Sequence, residues 1–119
     1  MQVMRDFKKL LIWQRAMDIV VEVYGLTKSF PAEEKFGMKS QTTRSAVSIA
    51  ANIAEGSAKS SEKEYKHYCE TALGSCYELE THLLVAGRLG WIRAEKILER
   101  IMEEQKMLMA FIDKLGRNG

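Results

Sequence analysis

A chain of 119 residues, 46% apolar and 29% charged, suits one hydrophobic core and is too apolar for a disordered segment. Eighteen basic against sixteen acidic residues leave a net charge of only +2, which excludes the strong basic excess of a dedicated nucleic-acid binder. The single proline and the scarcity of turn clusters argue against an all-β fold.

The N-terminus, Met1-Gln2-Val3-Met4-Arg5-Asp6, has no apolar run behind a basic start, so no signal peptide is predicted. The longest apolar stretches, Ile19-Val20-Val21 and Ile49-Ala50-Ala51, are far too short to span a bilayer. The expectation is a soluble, cytoplasmic protein with no membrane contact.

A first helix is predicted from about Asp6 to Ser29. Trp13, Ala16, Met17, Val20, Val21, Tyr24 and Thr27 recur at helical spacing, Asp6 is a plausible N-cap, and Phe30-Pro31 stops the run. A second helix runs from about Glu33 to Glu55, with Glu33 and Glu34 in its first turn and Gly56 as the residue beyond its end. Its segment Ala46-Val47-Ser48-Ile49-Ala50-Ala51-Asn52-Ile53-Ala54 is rich in small residues that permit close approach of a neighbouring helix. At about 100° per residue, Gln41, Arg44, Ser48, Ala51 and Glu55 form a polar strip with Asn52 at its border, opposite Met38, Ala46, Ile49 and Ile53. Such a strip is either a solvated face or a functional surface.

After the link Gly56-Ser57-Ala58-Lys59-Ser60, Ser61-Glu62-Lys63-Glu64 reads as a capping box opening a third helix, 62–88. Tyr65, Cys69, Ala72, Cys76, Leu79 or Glu80, Leu83 and Ala86 follow one face, and Leu89-Gly90 closes it. Cys69 and Cys76 stand two turns apart, roughly 10 Å, beyond the roughly 7 Å a disulfide tolerates, so both are predicted to be core thiols. Gly74 in mid-helix costs about 1 kcal/mol relative to alanine, which implies a packing reason, with Tyr77 or Trp13 as candidates to cover it. Trp13 and Trp91 read as core or interface anchors. A fourth helix spans about 92–115 on Ile97, Ile101, Leu108, Ile112 and Leu115, with Leu98, Met102 and Met109 alongside and a frayed tail from Gly116 to Gly119. Short links make sequential helices antiparallel, so the fold class is all-α: one up-down-up-down four-helix bundle over residues 1–119.

The bundle invites comparison with di-iron carboxylate proteins, which need two Glu-x-x-His motifs. One exists, Glu64-Tyr65-Lys66-His67, while His82 follows Glu78 at the wrong spacing, and Glu64 is accounted for as the capping acid. Neither cysteine has a histidine at a helical neighbour position, and no glycine-rich phosphate loop occurs. No catalytic residue, metal, cofactor or small-molecule substrate is predicted.

Several blocks do carry information. Phe7-x-x-Leu10-x-Ile12-Trp13-Gln14-x-Ala16, Val23-Tyr24-x-x-Thr27-x-x-Phe30-Pro31, Glu34-x-Phe36-Gly37-Met38-x-x-Gln41, Ser48-Ile49-x-x-Asn52-Ile53-Ala54-Glu55-Gly56 and Ala72-Leu73-Gly74-Ser75-x-x-Glu78-Leu79 together resemble the bacterial four-helix-bundle proteins encoded in intervening sequences of 23S rRNA genes. The resemblance covers nearly the whole chain, and the Asn-Ile-Ala-Glu-Gly block is its most specific part. It implies an antiparallel bundle, a homopentameric ring, and a nucleic-acid-associated but non-catalytic role. Related accessory proteins of diversity-generating retroelements work with a reverse transcriptase and its RNA. One departure is Thr43, which stands where the family often has the first of two arginines, leaving Arg44.

The leading expectation is therefore a homo-oligomer that contacts RNA phosphates through Arg44, Lys39, Lys35 and Lys59, on or just beyond the second helix. The interface candidates are Trp13, Ile49, Ile53 and Gly74. The alternative is a protein–protein scaffold that recruits a polymerase-type partner without touching nucleic acid.

Overall fold

The computed structural model describes residues 5–118. The chain forms four α-helices, α1 (Leu11–Leu26), α2 (Met38–Ser57), α3 (Glu62–Arg88) and α4 (Glu95–Asn118), with short 3-10 turns at Phe7–Lys9, Thr27–Ser29 and Ala32–Glu34. Each helix packs on its sequence neighbour and α4 closes back on α1, while the diagonal pairs α1/α3 and α2/α4 do not meet. The result is a square antiparallel bundle of 52 × 22 × 20 Å. No helix among the described residues is long and apolar enough to cross a membrane.

The helix ends show why local chemistry sets the boundaries. Asp6 caps the first 3-10 turn, its carboxylate accepting from the Lys8 N–H, and α1 proper begins only at Leu11. Glu33 and Glu34 do not lie in the first turn of α2, because the chain makes a separate turn there and Gly37 intervenes. Gly37 has no side chain to cap with, and Glu34 Oε1 accepts from the Met38 N–H at 3.0 Å instead. Ser61 opens α3 as predicted, its hydroxyl accepting from the Glu64 N–H at 3.1 Å. Gly90 adopts φ +79° and reverses the chain, with the Trp91 N–H reaching back to the Ala86 carbonyl. Trp91 then lies on Phe30, ring centroids 5.1 Å apart, tying the α3–α4 turn to the α1–α2 turn. Helix α4 begins later than expected, at Glu95, and runs past Leu115 to Asn118, so the tail from Gly116 to Asn118 is helical; Gly119 and Met1–Met4 lie outside the described residues.

Gly56 is not beyond the end of α2 but inside it. A Cβ there would fall 2.7 Å from Tyr68 Cβ, so glycine is required by the close crossing of α2 and α3.

The core runs the length of the bundle. Ile12, Ala16, Ile19 and Val23 come from α1, Ala46, Ile49, Ala50 and Ile53 from α2, Ala72, Cys76, Leu79 and Leu83 from α3, and Ile97, Ile101 and Leu108 from α4. Each fully buried aliphatic side chain contributes about 1.5–3 kcal/mol. On α3 the ambiguous position resolves to Leu79, which is enclosed while Glu80 is half-buried. On α1 the buried stripe is rotated by about one residue from the predicted one: Met17, Val21 and Tyr24 are exposed, and Ile12, Ile19 and Val23 take their place. The helix is apolar on two adjacent stripes, and periodicity alone does not say which one faces inward.

Candidate nucleic-acid interface

The polar strip of α2 lies on the flank facing α3. The Ser48 and Ser75 hydroxyls share a hydrogen bond of 2.9 Å across the two helices. Asn52 Nδ2 donates to the Ser48 carbonyl at 2.8 Å and to its hydroxyl at 2.9 Å. This network fixes the register of α2 on α3 within one chain. Beyond it, Gln41, Arg44, Ser45, Ser48 and Glu78 line an open groove, with Arg44 exposed at its edge.

The four predicted phosphate contacts do not form one patch. Lys35 lies in the turn before α2, its ammonium 5.5 Å from the Phe36 ring, and Lys39 is half-buried in the first turn of that helix. Lys59 lies just past the other end of α2, about 22 Å along the axis from Arg44 at 1.5 Å per residue, over the Tyr68 ring at 5.0 Å. None of the ion pairs among the described residues (Arg15–Glu103, Arg100–Glu22 and His82–Glu78) uses Arg44, Lys35, Lys39 or Lys59. Position 43 is buried, and the Thr43 hydroxyl donates to the Lys39 and Ser40 carbonyls. The departure from the family's arginine pair therefore falls at a packed site.

The fold brings one further cation, Arg5, to the end of α2 beside Lys59. Arg5 donates to the Ser57 and Lys59 carbonyls and lies over the Tyr65 ring at 4.8 Å, while Lys8 of the first 3-10 turn lies 5.9 Å from the Phe7 ring. Arg5 is the cation near this end of α2 that sequence reasoning missed. Its sequence separation of 54 residues from Lys59 hid the approach, although the basic run Arg5-x-x-Lys8-Lys9 is plain in the sequence.

The predicted interface residues separate too. Ile49 and Ile53 are fully enclosed in the chain's own core, so neither presents a surface to a second molecule. The small residues around them seat α2 in its own bundle. Trp13 is half-buried, edge-on to Phe7 at 5.2 Å. Gly74 is exposed with nothing within 4 Å of an added Cβ, so neither Tyr77 nor Trp13 covers it.

The interior holds one ionisable group that the sequence did not flag. Glu104 is 0% exposed, and neither carboxylate oxygen finds a hydrogen-bond partner among the described residues. Burial pushes its pKa up to about 8, opposed by Arg15 and reinforced by Glu103. Beside it, Gln105 Nε2 donates to Glu80 Oε1 at 2.8 Å. Cys69 and Cys76 are free, buried thiols, as expected. Burial, then Glu70, raises Cys69 to about 12, and burial, then Glu104 and Glu80, raises Cys76, so both stay protonated and unreactive. No cluster of three or more His, Cys, Asp or Glu among the described residues is placed to hold a metal ion. Glu64, the acid of the lone Glu-x-x-His motif, lies 3.3 Å from the Ser61 hydroxyl at the head of α3.

Comparison with known proteins follows the fold. A family model described as 23S rRNA-intervening sequence protein matches residues 8–110. A crystal structure from Bacteroides thetaiotaomicron, of a protein with unknown function from the S23 ribosomal protein family, superposes with a TM-score of 0.79 at 29% identity. The match covers 86% of this chain and 98% of that one. None of the curated proteins matches.

Proposed function

The chain belongs to the 23S rRNA-intervening sequence protein family, and from that premise we propose that it is a non-catalytic, self-associating bundle that contacts RNA through phosphates rather than bases. The observation that carries this reading is the state of the cations: Arg44 is exposed, and none of the ion pairs formed among the described residues involves it or Lys35, Lys39 or Lys59. Residues 1–60 carry nine basic and six acidic side chains, so the positive charge is concentrated in the first two helices and their flanks. Guanidinium and ammonium groups held this way add a sequence-independent, salt-sensitive attraction to a polyanion. Because Lys59 is far from Arg44 along α2, one chain offers two small contacts. Self-association, to a pentamer by family resemblance, multiplies them.

Arg44→Ala tests the reading directly. Binding to structured RNA should weaken uniformly across sequences, and the slope of log affinity against log salt should fall by about 1 for each phosphate that is no longer neutralised. Unchanged affinity and slope would remove Arg44 from the interface.

A second reading is a protein–protein scaffold for a polymerase-type partner. It is favoured by the exposed apolar side chains Met17, Val21, Tyr24, Tyr77, Leu84, Met102 and Met109. Capture of a polymerase from nuclease-treated lysate, together with no RNA binding by the purified chain, would select it over the first.

A further inference from the structure

The seam between α1 and α4 holds two acids on neighbouring residues and one arginine that approaches both. Arg15 of α1 gives its guanidinium to Glu103 Oε1 at 2.6 Å, a partly exposed pair. The next residue, Glu104, is fully enclosed, and neither of its oxygens is partnered among the described residues. Arg100, which reaches Glu22 of α1 at 2.8 Å, marks the direction of α1 as seen from α4. At about 100° per residue, Glu103 leaves the helix about 60° to one side of Arg100 and Glu104 about 40° to the other. One points to solvent and one to the core, and Arg15 arrives between them. An open gap of about 240 Å³ on the same seam, lined by Arg15, Asp18, Ile19 and Arg100, gives the guanidinium room to turn. Its chain neighbour Ala16 is enclosed and small, so no bulky side chain at that position bars the inward path. The other groups around Glu104 do not compete for its charge. Asp18 lines the gap as an anion, and Arg100 is held by Glu22. From α3 come the Cys76 thiol and Glu80, the latter engaged by Gln105. Helix α2 does not meet α4.

We propose that Arg15 is a two-position latch: it rests on Glu103 at the surface while the Glu104 carboxyl keeps its proton, and turns inward to Glu104 when that proton leaves. The latch is a property of the single chain and goes beyond the proposed function, depending on neither RNA nor self-association. Its two positions follow from the state of one group. A protonated Glu104 is neutral, and the ionised, hydrated Glu103 is the better partner for a guanidinium. An ionised Glu104 reverses that order. A buried charge without a partner is strongly destabilising, whereas a guanidinium–carboxylate pair is among the strongest hydrogen-bonded contacts. Burial raises the Glu104 pKa to about 8, with Arg15 opposing and Glu103 reinforcing it. Turning Arg15 inward favours the charged form further, so the exchange is centred at or below about pH 8. Its outcome is a seam clamped at the surface on the acid side and in the core on the alkaline side, with Glu103 released to solvent in the second state.

The test is an NMR titration of the whole chain, isotope-labelled at glutamate and arginine, without RNA. In the wild type the Glu104 carboxyl resonance should titrate with an alkaline midpoint, and the Arg15 Nε–H resonance should shift with the same midpoint. Both are assigned through bonds from the backbone, so this co-titration decides the question even where a variant does not fold. Exchange of the Arg15 N–H with water gives the direction of the movement. Hydroxide speeds exchange at a surface guanidinium, so in Glu104→Gln it should accelerate throughout the range. In the wild type it should be slower than in Glu104→Gln above the midpoint, because the group is then enclosed. Arg15→Gln should raise the Glu104 midpoint by about 1–3 pH units, the effect of removing one opposite charge from contact. An Arg15 resonance and exchange rate that follow pH alike in the wild type and Glu104→Gln would overturn the latch while leaving a buried acid in place. A Glu104 carboxyl that titrates in the ordinary carboxylate range, or keeps its midpoint in Arg15→Gln, would overturn it as well.

Discussion

Replacing Glu104 by glutamine should change how stability depends on pH. The carboxyl is fully enclosed, and its pKa is raised from 4.5 to about 8 by burial in the face of Arg15, with Glu103, Cys76 and Glu80 the other ionisable groups coupled to it or close by. The folded chain therefore holds this proton more tightly than the unfolded chain. The resulting stability is fully present below about pH 4.5, declines as pH rises toward 8, and levels off above it. At about 1.36 kcal/mol per pKa unit the whole window is worth on the order of 3–5 kcal/mol, a large part of the 5–15 kcal/mol typical of a domain. Glutamine is nearly isosteric and does not ionise, so Glu104→Gln should abolish this component and be the more stable protein at pH 8.5. Urea midpoints measured from pH 5 to 8.5 at one fixed protein concentration read the effect. Subtracting the variant from the wild type cancels titrations common to both. Parallel curves across that range would refute the assignment of a protonated, buried Glu104.

Other substitutions test the packing. Gly56→Ala should destabilise by about 1–3 kcal/mol in urea titration, because the new methyl meets Tyr68 Cβ at 2.7 Å where two helices cross. Gly74→Ala should do the opposite to the isolated fold, raising stability by about 1 kcal/mol, since nothing lies within 4 Å of an added Cβ. Ile53→Ala should cost about 2–5 kcal/mol and lower the thermal midpoint, as expected of a fully enclosed core position. Ser61→Ala removes the hydroxyl that caps α3 and should cost about 1 kcal/mol by the same measurement.

The fold was legible because strong periodicity and a few punctuating residues agree. Ser61, Leu89 and Gly90 bound α3 at Glu62–Arg88, as read from the sequence. What escaped was phase and burial. On α1, two neighbouring apolar stripes have the same period, and only the bundle shows that Met17, Val21 and Tyr24 face outward. On α4, position 104 completes the spacing of Ile97, Ile101 and Leu108, a signal that an acid occupies a core position. Charge drew attention away from it. The candidate site was legible in its types rather than its assembly. Arg44 reaches the surface of α2 as its helical position suggests, whereas the gathering of Arg5 with Lys59 depends on contacts spanning more than fifty residues, which no local pattern encodes.

The most direct test of RNA contact is the affinity of the purified protein for a structured RNA at about 50 and about 200 mM salt. Phosphate contacts repeated over an oligomer predict binding at the lower concentration that falls by roughly a thousandfold or more at the higher. No binding at about 50 mM, or an affinity indifferent to salt, would contradict direct RNA contact and leave protein partners as the object of the fold.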